Sequence, residues 1–380
     1  MKQIQPNKVY FENLDLLRFV AVLMVVLTHA YQGWCGWYGY PEFMTITGDT
    51  KNLNTIGIYI NNLIKNGAIG VDVFFLISGF LITYILLREK EATGKIDFKF
   101  FFIRRGLKIW PLYFLLIAIT PFLTHWLHKP TPDYLSAVLF YNNFHTMQTG
   151  YCDYPFPHFW SICVEEHFYL IWPFIVALIP NKYLLNTFLT VILISVFARF
   201  GFSVCNKGYY YQFFHTLSRM DVLAIGAIGA YLHFTSGFNF ILPKYSRVGL
   251  YLLFLIIFAY EPYNIYDGVF LSCFRKYFYV SIIAVGMINF LFNPNTFIKI
   301  HKKTIFHYFG KISFGIYLFS NFFVLIIIEK VIARFNIINL GFYFLLTFVI
   351  SLIIPIISYE FFEKQFLKLK PKFEIIKTQR

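Results

Sequence analysis

The sequence predicts an all-α integral membrane protein with about ten transmembrane helices and both termini in the cytoplasm. Composition is the first reason, because 58% of the 380 residues are hydrophobic, only 14% are charged, and the mean hydropathy is +0.60. Soluble domains carry about 25% charged residues, so this chain falls outside that class. The second reason is a series of apolar runs long enough to cross a hydrocarbon core of about 30 Å. The third is the uneven distribution of lysine and arginine along the chain.

The apolar runs are continuous and do not alternate with polar residues, which argues against an outer-membrane barrel. They divide the chain into an N-terminal cytoplasmic segment at 1–13, a ten-helix membrane domain at 14–362 and a basic cytoplasmic tail at 363–380. The predicted spans lie at about 14–34, 68–87, 106–127, 160–180, 184–204, 217–235, 248–261, 277–292, 312–329 and 338–360.

The distribution of basic residues sets the predicted orientation. With the N-terminus inside, 22 lysines and arginines face the cytoplasm and 8 face the exterior, as the positive-inside rule requires. The net charge of +14 is then mostly topogenic and suits the anionic lipids of an inner, cytoplasmic membrane. We therefore expect membrane lipids, and no nucleic acid, as partners. The five cysteines show no metal-ligand spacing, so we expect neither a metal nor a bound cofactor.

The first span, from Asn13 to Gln32, contains three ionisable residues, Asp15, Arg18 and His29. Asp15 and Arg18 are three residues apart, so on a helix they share a face and can pair. His29 follows Arg18 by eleven residues, which places it within roughly 20° of the same face and about 16 Å further along the axis. Such residues within a membrane usually face a protein interior or a wet cavity and indicate function. The alternative is a core histidine with an arginine that extends to the headgroups.

The second span begins with GVDVFFLISGF at 70–80. Asp72 is a candidate buried carboxylate at the external end of this helix. Ser78 and Gly79 are small residues of the kind that let a neighbouring helix approach closely. We interpret that pair as a packing feature.

The loop after the second span leads into the densest basic segment, which ends in FFIRRGLKIWP at 101–111. Arg104, Arg105 and Lys108 lie there at helical spacing. Guanidinium groups bind phosphates through paired hydrogen bonds, so a polyphosphate donor in the cytosol could dock at this segment. The alternative is that these residues only anchor the cytoplasmic side.

The fourth span begins with PHFWSICVEEHFYLIWP at 157–173 and contains two adjacent carboxylates, Glu165 and Glu166. Neighbouring helical residues point about 100° apart, so the two glutamates should have different roles and one of them can face His29. The surrounding sequence is too aromatic and apolar for a solvated loop.

The sixth span, LSRMDVLAIGAIGAYL at 217–232, begins with Arg219 and Asp221. The predicted topology brings six ionisable residues to the outer half of the membrane: His29, Asp72, Glu165, Glu166, Arg219 and Asp221. We expect them to converge, with Asp72, Arg219 and Asp221 in contact with substrate. An acid-base site facing one side and a phosphate-compatible mouth on the other suggest chemistry across the bilayer, but they also fit a proton-coupled exporter.

Seven motifs, taken in their order along the chain, resemble those of a known protein family. The motifs are NLDLLRFVAVLMVVLTHAY, GVDVFFLISGFLIT, FFIRRGLKIWPLYF, FWSICVEEHFYLIWP, SRMDVLAIGA, GKISFGIYLFS and YEFFEKQF. Together they resemble acyltransferase family 3 of the membrane-bound acyltransferases over nearly the whole chain. The resemblance implies a ten-helix enzyme that moves an acyl group, often acetyl, from cytosolic acyl-CoA to a hydroxyl of a glycan or lipid-linked saccharide on the far face.

The resemblance also implies roles for individual residues. His29 corresponds to the essential histidine of the family and Arg18 to its arginine. Glu165 and Glu166 correspond to the glutamates of the family's WSxSVEEQFY motif, and the inner basic motif is carried by Arg104, Arg105 and Lys108.

The sequence departs from the family pattern at several positions. Lys108 stands where arginine is usual, and the paired glutamates are flanked by Cys163 and His167, which adds an imidazole near the predicted site. A histidine is usual near the end of the ISxSLYLxH motif, where this chain offers Ser320 or Asn321. Longer members carry an esterase-like domain after the tenth helix, so we expect this chain to be the stand-alone form.

The predicted mechanism uses His29 as a general base toward the acceptor hydroxyl. A carboxylate, preferably Glu166, would fix the tautomer of His29 and stabilise the imidazolium. A transient acyl-histidine is the close variant, and Arg18 would hold the donor or a partner acid. Two other functions remain open, a proton-coupled exporter of a charged metabolite and a scaffold for polysaccharide assembly.

Overall fold

The computed structural model describes residues 11, 13–37, 55–150, 155–205, 207–236, 241–260, 269–293, 295–296, 304–335 and 339–376. These residues form helices joined by short connections and include no β-strand, which confirms the predicted all-α class. Most of the predicted N-terminal segment at 1–13 lies outside the described residues, as does the end of the tail.

The long helices are α1 (Leu14–Trp37), α2 (Thr55–Lys65), α3 (Gly70–Thr93), α4 (Phe98–Trp126), α7 (Phe159–Leu178), α8 (Asn181–Val204), α10 (Thr216–Ser236), α11 (Lys244–Tyr260), α12 (Val269–Phe292), α14 (Ser313–Ile326) and α16 (Leu340–Ser358). The short ones are α5 (Tyr134–Val138), α6 (Asn142–Thr149), α9 (Tyr209–Phe214), α13 (Ile305–Lys311), α15 (Ala333–Phe335) and α17 (Lys364–Leu367). Turns of 3₁₀ helix occupy Asn66–Ile69 and Lys370–Phe373, and π-helical turns occupy Ile327–Ile332 and Tyr359–Glu363.

Six helical segments in the described part of the chain are long and apolar enough to cross a membrane. They are Leu14–Cys35, Gly57–Thr93, Phe98–Trp126, Phe159–Leu178, Asn181–Val204 and Leu340–Phe373. The other four predicted spans also coincide with helices, namely α10, α11, α12 and α14, but the apolar parts of α12 and α14 are shorter and α10 contains two charged residues. A multi-pass membrane protein is therefore supported, with six spans by length and composition where we predicted ten.

Helix α1 lies among the other elements, against α2, α3, α13, α14 and α16. Two glycines allow very close contact with its backbone. A Cβ atom on Gly310 would lie 2.0 Å from the carbonyl oxygen of Asp15, and one on Gly70 would lie 2.3 Å from that of Ala21. Any larger side chain would therefore push α13 or α3 away from α1.

Helices α3 and α10 cross with direct backbone contact. A Cβ atom on Gly79 would lie 1.9 Å from the Leu223 carbonyl oxygen, and one on Gly226 would lie 2.2 Å from that of Leu76. The close approach predicted at Gly79 is confirmed, and it is the small-residue packing typical of membrane helices. This crossing holds α10 against the helix that carries Asp72 and Ser78.

The connection between α3 and α4 is a tight hairpin. Gly94, at φ 75°, ends α3 in the left-handed conformation that glycine adopts without strain. Asp97 then caps α4, because its carboxylate accepts a hydrogen bond of 2.9 Å from the Phe100 backbone N–H. The hairpin brings the basic start of α4 beside the end of α3.

Candidate active site

His29 contacts the hydroxyl of Ser320 on α14. The Nδ1 atom lies 3.0 Å from Ser320 Oγ, which in turn donates a 2.7 Å hydrogen bond to the Tyr317 carbonyl oxygen. A hydroxyl has one proton to donate, so Ser320 accepts from His29 and the Nδ1 atom carries the proton. The Nε2 atom of neutral His29 is then the basic nitrogen. Ser320 thus occupies the place where the predicted carboxylate was expected.

A second histidine, His158, lies beside His29 at the start of α7. The two ring centroids are 6.0 Å apart, and His158 Nε2 lies 2.9 Å from the Leu318 carbonyl oxygen. The backbone carbonyl of His158 accepts a 2.9 Å hydrogen bond from the Tyr317 hydroxyl, which is also 2.6 Å from Ser161 Oγ. We did not predict His158 from the sequence, although its position next to a span at the predicted depth of His29 was an available signal.

A cavity of about 70 Å³ lies between α1, α3, α4, α7 and α14. The polar residues that line it are Arg18, Ser78, Lys108, Ser161, Glu165, Tyr169, Ser313 and Tyr317. Tyr317, which lines the cavity, also lies beside His29, with 6.5 Å between the two ring centroids. We call these eight residues, together with His29, His158 and Ser320, the cavity cluster.

Glu165 forms the polar wall of this cavity. Its Oε1 accepts a 2.7 Å hydrogen bond from Ser78 and its Oε2 accepts a 3.1 Å hydrogen bond from Tyr169. Ser78 was predicted to serve packing, but the structure gives it this polar contact. The predicted site residue Glu165 therefore does belong to the cavity cluster, at the level of Ser78 and not in contact with His29.

Glu166 faces another way. Its Oε2 accepts a 3.2 Å hydrogen bond from the indole N–H of Trp110 on α4, while His167 contacts Thr216 on α10 at 2.7 Å. The helical spacing explains why three consecutive side chains meet three different helices. The expected contact between Glu166 and His29 is thus corrected, and the imidazole of His167 likewise lies away from the cavity.

Arg18 lines the cavity and pairs with Asp15, as the three-residue spacing predicted. Its guanidinium is 3.3 Å from the Asp15 carboxylate, whose other oxygen lies 2.8 Å from His307 Nδ1. Arg18 is nearly buried, so it is held in place and does not extend to a headgroup. One face of α1 therefore carries Arg18 toward one end and His29 toward the other.

The basic segment of α4 divides into two parts. Arg104 is buried and fully engaged, 3.0 Å from the Glu89 carboxylate on α3 and 2.6 Å from the Phe373 carbonyl oxygen. Arg105 instead lies between the rings of Phe101 and Tyr169, with 5.6 Å from its guanidinium carbon to each ring centroid. The structure thus corrects the expectation that the arginines act together, because Arg104 fastens the α3–α4 hairpin.

Asp72, Arg219 and Asp221 all belong to buried ion pairs. Arg219 is 2.8 Å from Asp72, while Asp221 is 2.7 Å from Arg199 and 3.3 Å from Lys276. We call these five residues the ion-pair network. None of them is among the described residues that line the cavity. The predicted convergence of six ionisable residues is corrected: His29 and Glu165 belong to the cavity cluster, Asp72, Arg219 and Asp221 belong to the ion-pair network, and Glu166 belongs to neither.

Comparison with known proteins gives consistent matches. The family model described as an acyltransferase domain matches residues 11–359. A protein of Staphylococcus aureus strain COL, named "Putative O-acetyltransferase", is 28% identical over 337 residues, which cover 81% of this chain and 50% of that protein. The O-acetyltransferase OatA of S. aureus strain NCTC 8325 is 28% identical over 213 residues, which cover 50% of this chain and 35% of that protein.

This chain spans about half the length of the first of these curated relatives. No solved structure matches it. The matches favour the predicted enzyme over the exporter.

Proposed function

The chain belongs to the acyltransferase family whose model it matches, and from that premise we propose that it moves an acetyl group from acetyl-CoA to a hydroxyl of an extracytoplasmic glycan. The observation that carries the proposal is the cavity, which has Arg18 and Lys108 in its wall and reaches Tyr317 beside His29. The cavity therefore has two cations in its wall, which suit the phosphates of the donor, and a ring in its wall that lies beside the proposed general base.

His29 acts as the general base in this proposal. With its Nδ1 proton directed to Ser320, its Nε2 removes the proton of the acceptor hydroxyl as that oxygen attacks the thioester carbonyl. The carbon–sulfur bond breaks, and the thiolate of CoA takes the proton from the imidazolium. Transfer through an acyl-histidine remains the close variant, in which the same nitrogen is acylated first.

The acetyl-CoA donor enters the protein at the end of the cavity that is lined or flanked by cations. Arg105 and Lys108 on α4, with Arg18 on α1, supply three positive charges for the phosphates, and Arg104 positions the hairpin that holds them. The pantetheine arm is then directed toward Tyr317 along the line of the cavity, and the walls must move apart to admit it, because the cavity holds only about 70 Å³. Glu165 is placed to contact the amide groups of that arm, because it lines the cavity with Ser78.

The two substrates approach from opposite faces of an inner membrane. The charge count, with ten helices and both termini cytoplasmic, puts the start of α4 inside and the His29 end of α1 outside. The nucleotide stays in the cytosol, while the acceptor, a glycan or lipid-linked saccharide, is exposed outside. Only the acyl group needs to travel through the protein.

Sealed inside-out vesicles from a strain that expresses the protein test this arrangement. Labelled acetyl-CoA added outside them reaches the former cytoplasmic face, and the cell's own acceptor is enclosed in the lumen. We expect label on the enclosed glycan, none with right-side-out vesicles, and none with His29→Gln vesicles of equal protein content. Labelling that requires donor and acceptor on the same side of the membrane would overturn the proposal.

A further inference from the structure

His158 presents a hydrogen-bond acceptor that nothing in the described chain uses. Its Nε2 faces the Leu318 carbonyl oxygen, and because a carbonyl only accepts, Nε2 carries the proton. The Nδ1 atom of the neutral ring is then a lone pair. It is buried and has no hydrogen-bond partner in the part of the chain that the structure describes. Buried polar atoms are almost always paired in native proteins, so this one needs an explanation.

The ring of His158 is fixed in this state by its surroundings. Its Nε2 is held by Leu318, and its own backbone carbonyl is held by the hydroxyls of Tyr317 and Ser161. A turn of the ring about the Cβ–Cγ bond would put a carbon in the place of Nε2 and remove the donor to the Leu318 carbonyl oxygen. Only 3% of the residue is exposed, so solvent does not replace that donor. The lone pair on Nδ1 is therefore a constant property of the site.

His29 beside it carries the opposite tautomer, with its lone pair on Nε2. Two neighbouring imidazoles, with centroids 6.0 Å apart, thus each offer an acceptor and neither offers a further proton. Two such acceptors require two hydrogens. A single hydroxyl has one, and in the proposed reaction that one goes to His29.

We propose that His158 Nδ1 receives a hydrogen bond from a second group of the acceptor, adjacent to the hydroxyl that His29 deprotonates. This inference rests on the proposed function and deepens it by naming the substrate class. The acceptor carries a hydroxyl flanked by another donor, a vicinal hydroxyl or an amide N–H, as neighbouring positions of a pyranose ring do. An acceptor whose neighbouring hydroxyl is already esterified is rejected, because the lone pair of His158 then stays unpaired.

Two substitutions separate this role from a structural one. His158→Gln places an amide N–H near the former Nε2 and keeps the bond to Leu318, but it provides no acceptor at the Nδ1 position. His158→Asn does the reverse, with its amide oxygen near Nδ1 and no donor for Leu318. Each variant is expressed in a strain that lacks the native copy, and the ester content of the envelope glycan is measured by mass spectrometry.

We expect His158→Gln to retain the melting temperature of the purified protein and to lose activity roughly 10- to 100-fold, as loss of a substrate hydrogen bond predicts. His158→Asn should melt at a lower temperature yet be the more active of the two per folded molecule. Full activity in His158→Gln, or activity that follows melting temperature in both variants, would refute the inference.

The chemical position of the esters provides a second readout. We expect every acylated sugar to carry a free hydroxyl or an amide N–H next to the ester, and esters at hydroxyls without such a neighbour would contradict the assignment. His29→Gln keeps the two proposals distinct. If it is inactive while His158→Gln is fully active, the inference fails and the proposed function stands, whereas an active His29→Gln removes the proposed function itself.

Discussion

The cavity cluster and the ion-pair network are built from similar residues in the same membrane-embedded bundle, yet they differ in how their polar groups are satisfied. In the network, each carboxylate has a cation within 3.3 Å, and the Arg219 guanidinium also lies 4.7 Å from the ring centroid of Phe213. In the cavity cluster, by contrast, His158 Nδ1 is a buried acceptor without a hydrogen-bond partner in the part of the chain that the structure describes, and the proton of His29 lies on Nδ1, which leaves a lone pair on Nε2. The presence of an ionisable residue in a span therefore does not by itself identify a site.

An aromatic side chain contacts both the cavity and the ion-pair network. Phe75 lines the cavity, and its ring centroid is 5.4 Å from the guanidinium carbon of Arg219. The network can thus brace α3 and α10 close to the cavity without adding charge to it. Buried pairs of this kind are costly to break, because removal of one partner leaves the other charged in a medium that cannot solvate it.

The first prediction tests whether Asp72 contributes to the stability of the protein or to catalysis, and it has the largest expected effect. Asp72→Ala leaves Arg219 buried without its carboxylate, so we expect a loss of about 3–5 kcal/mol in unfolding free energy. Thermal unfolding in detergent measures the loss. The double variant Asp72→Leu with Arg219→Met removes both charges and should recover most of the stability. An Asp72→Ala protein that folds normally but is inactive would place Asp72 in the site and erase the distinction between the two groups.

The second prediction compares two adjacent arginines. Arg105→Gln removes a cation that no described carboxylate holds, and we expect the KM for acetyl-CoA to rise roughly tenfold with unchanged stability. Arg104→Gln leaves Glu89 buried without its charge partner, so the protein should be less stable, with an unchanged KM in the molecules that fold.

The exposed Lys99 on the same helix supplies the matched control for this pair. Lys99→Gln removes one positive charge from the segment and should alter neither KM nor stability. If all three variants raise KM equally, the basic segment acts through its total charge. The distinction between a donor-binding Arg105 and a structural Arg104 is then wrong.

The third prediction compares the neighbouring glutamates, one of which should have almost no effect. Glu165→Gln removes the negative charge from the cavity wall, and we expect activity to fall roughly tenfold. Glu166→Gln can still accept from Trp110, so its activity should stay within about twofold of the parent. Initial rates at saturating donor give the comparison. A reversed order would return Glu166 to the catalytic role that the sequence suggested.

The sequence predicted the helical class because a membrane imposes long continuous apolar runs, and these need no tertiary information. It also predicted the pairing of Arg18 with Asp15, since their spacing on α1 is a local property. The number of spans was harder to predict than the helical class. Helix α10 combines apolar residues with charges, and α11 has a short apolar length.

The site was harder to predict because its assignment depends on partners that are distant in sequence. Asp72 and Arg219 are 147 residues apart, and the sequence does not show that they meet. Arg104 and Arg105 are identical residues, and only the position of Glu89 on the preceding helix distinguishes them. Ser320 was noted at the place of a missing histidine, but its contact with His29 required the packing of α14 on α1.

The rigidity of α1 sets a length for the donor. An α-helix rises about 1.5 Å per residue, so Arg18 and His29 are separated by about 16 Å along the axis. That separation cannot shorten unless the helix breaks. The neighbouring helices also pack directly on the backbone of α1 at Gly310 and Gly70. The first helix thus sets the minimum length of a donor that contacts both Arg18 and His29. An acyl phosphate, whose carbonyl is bonded directly to phosphate, is too short to contact both Arg18 and His29, so in the proposed reaction we expect such a compound to be a poor donor.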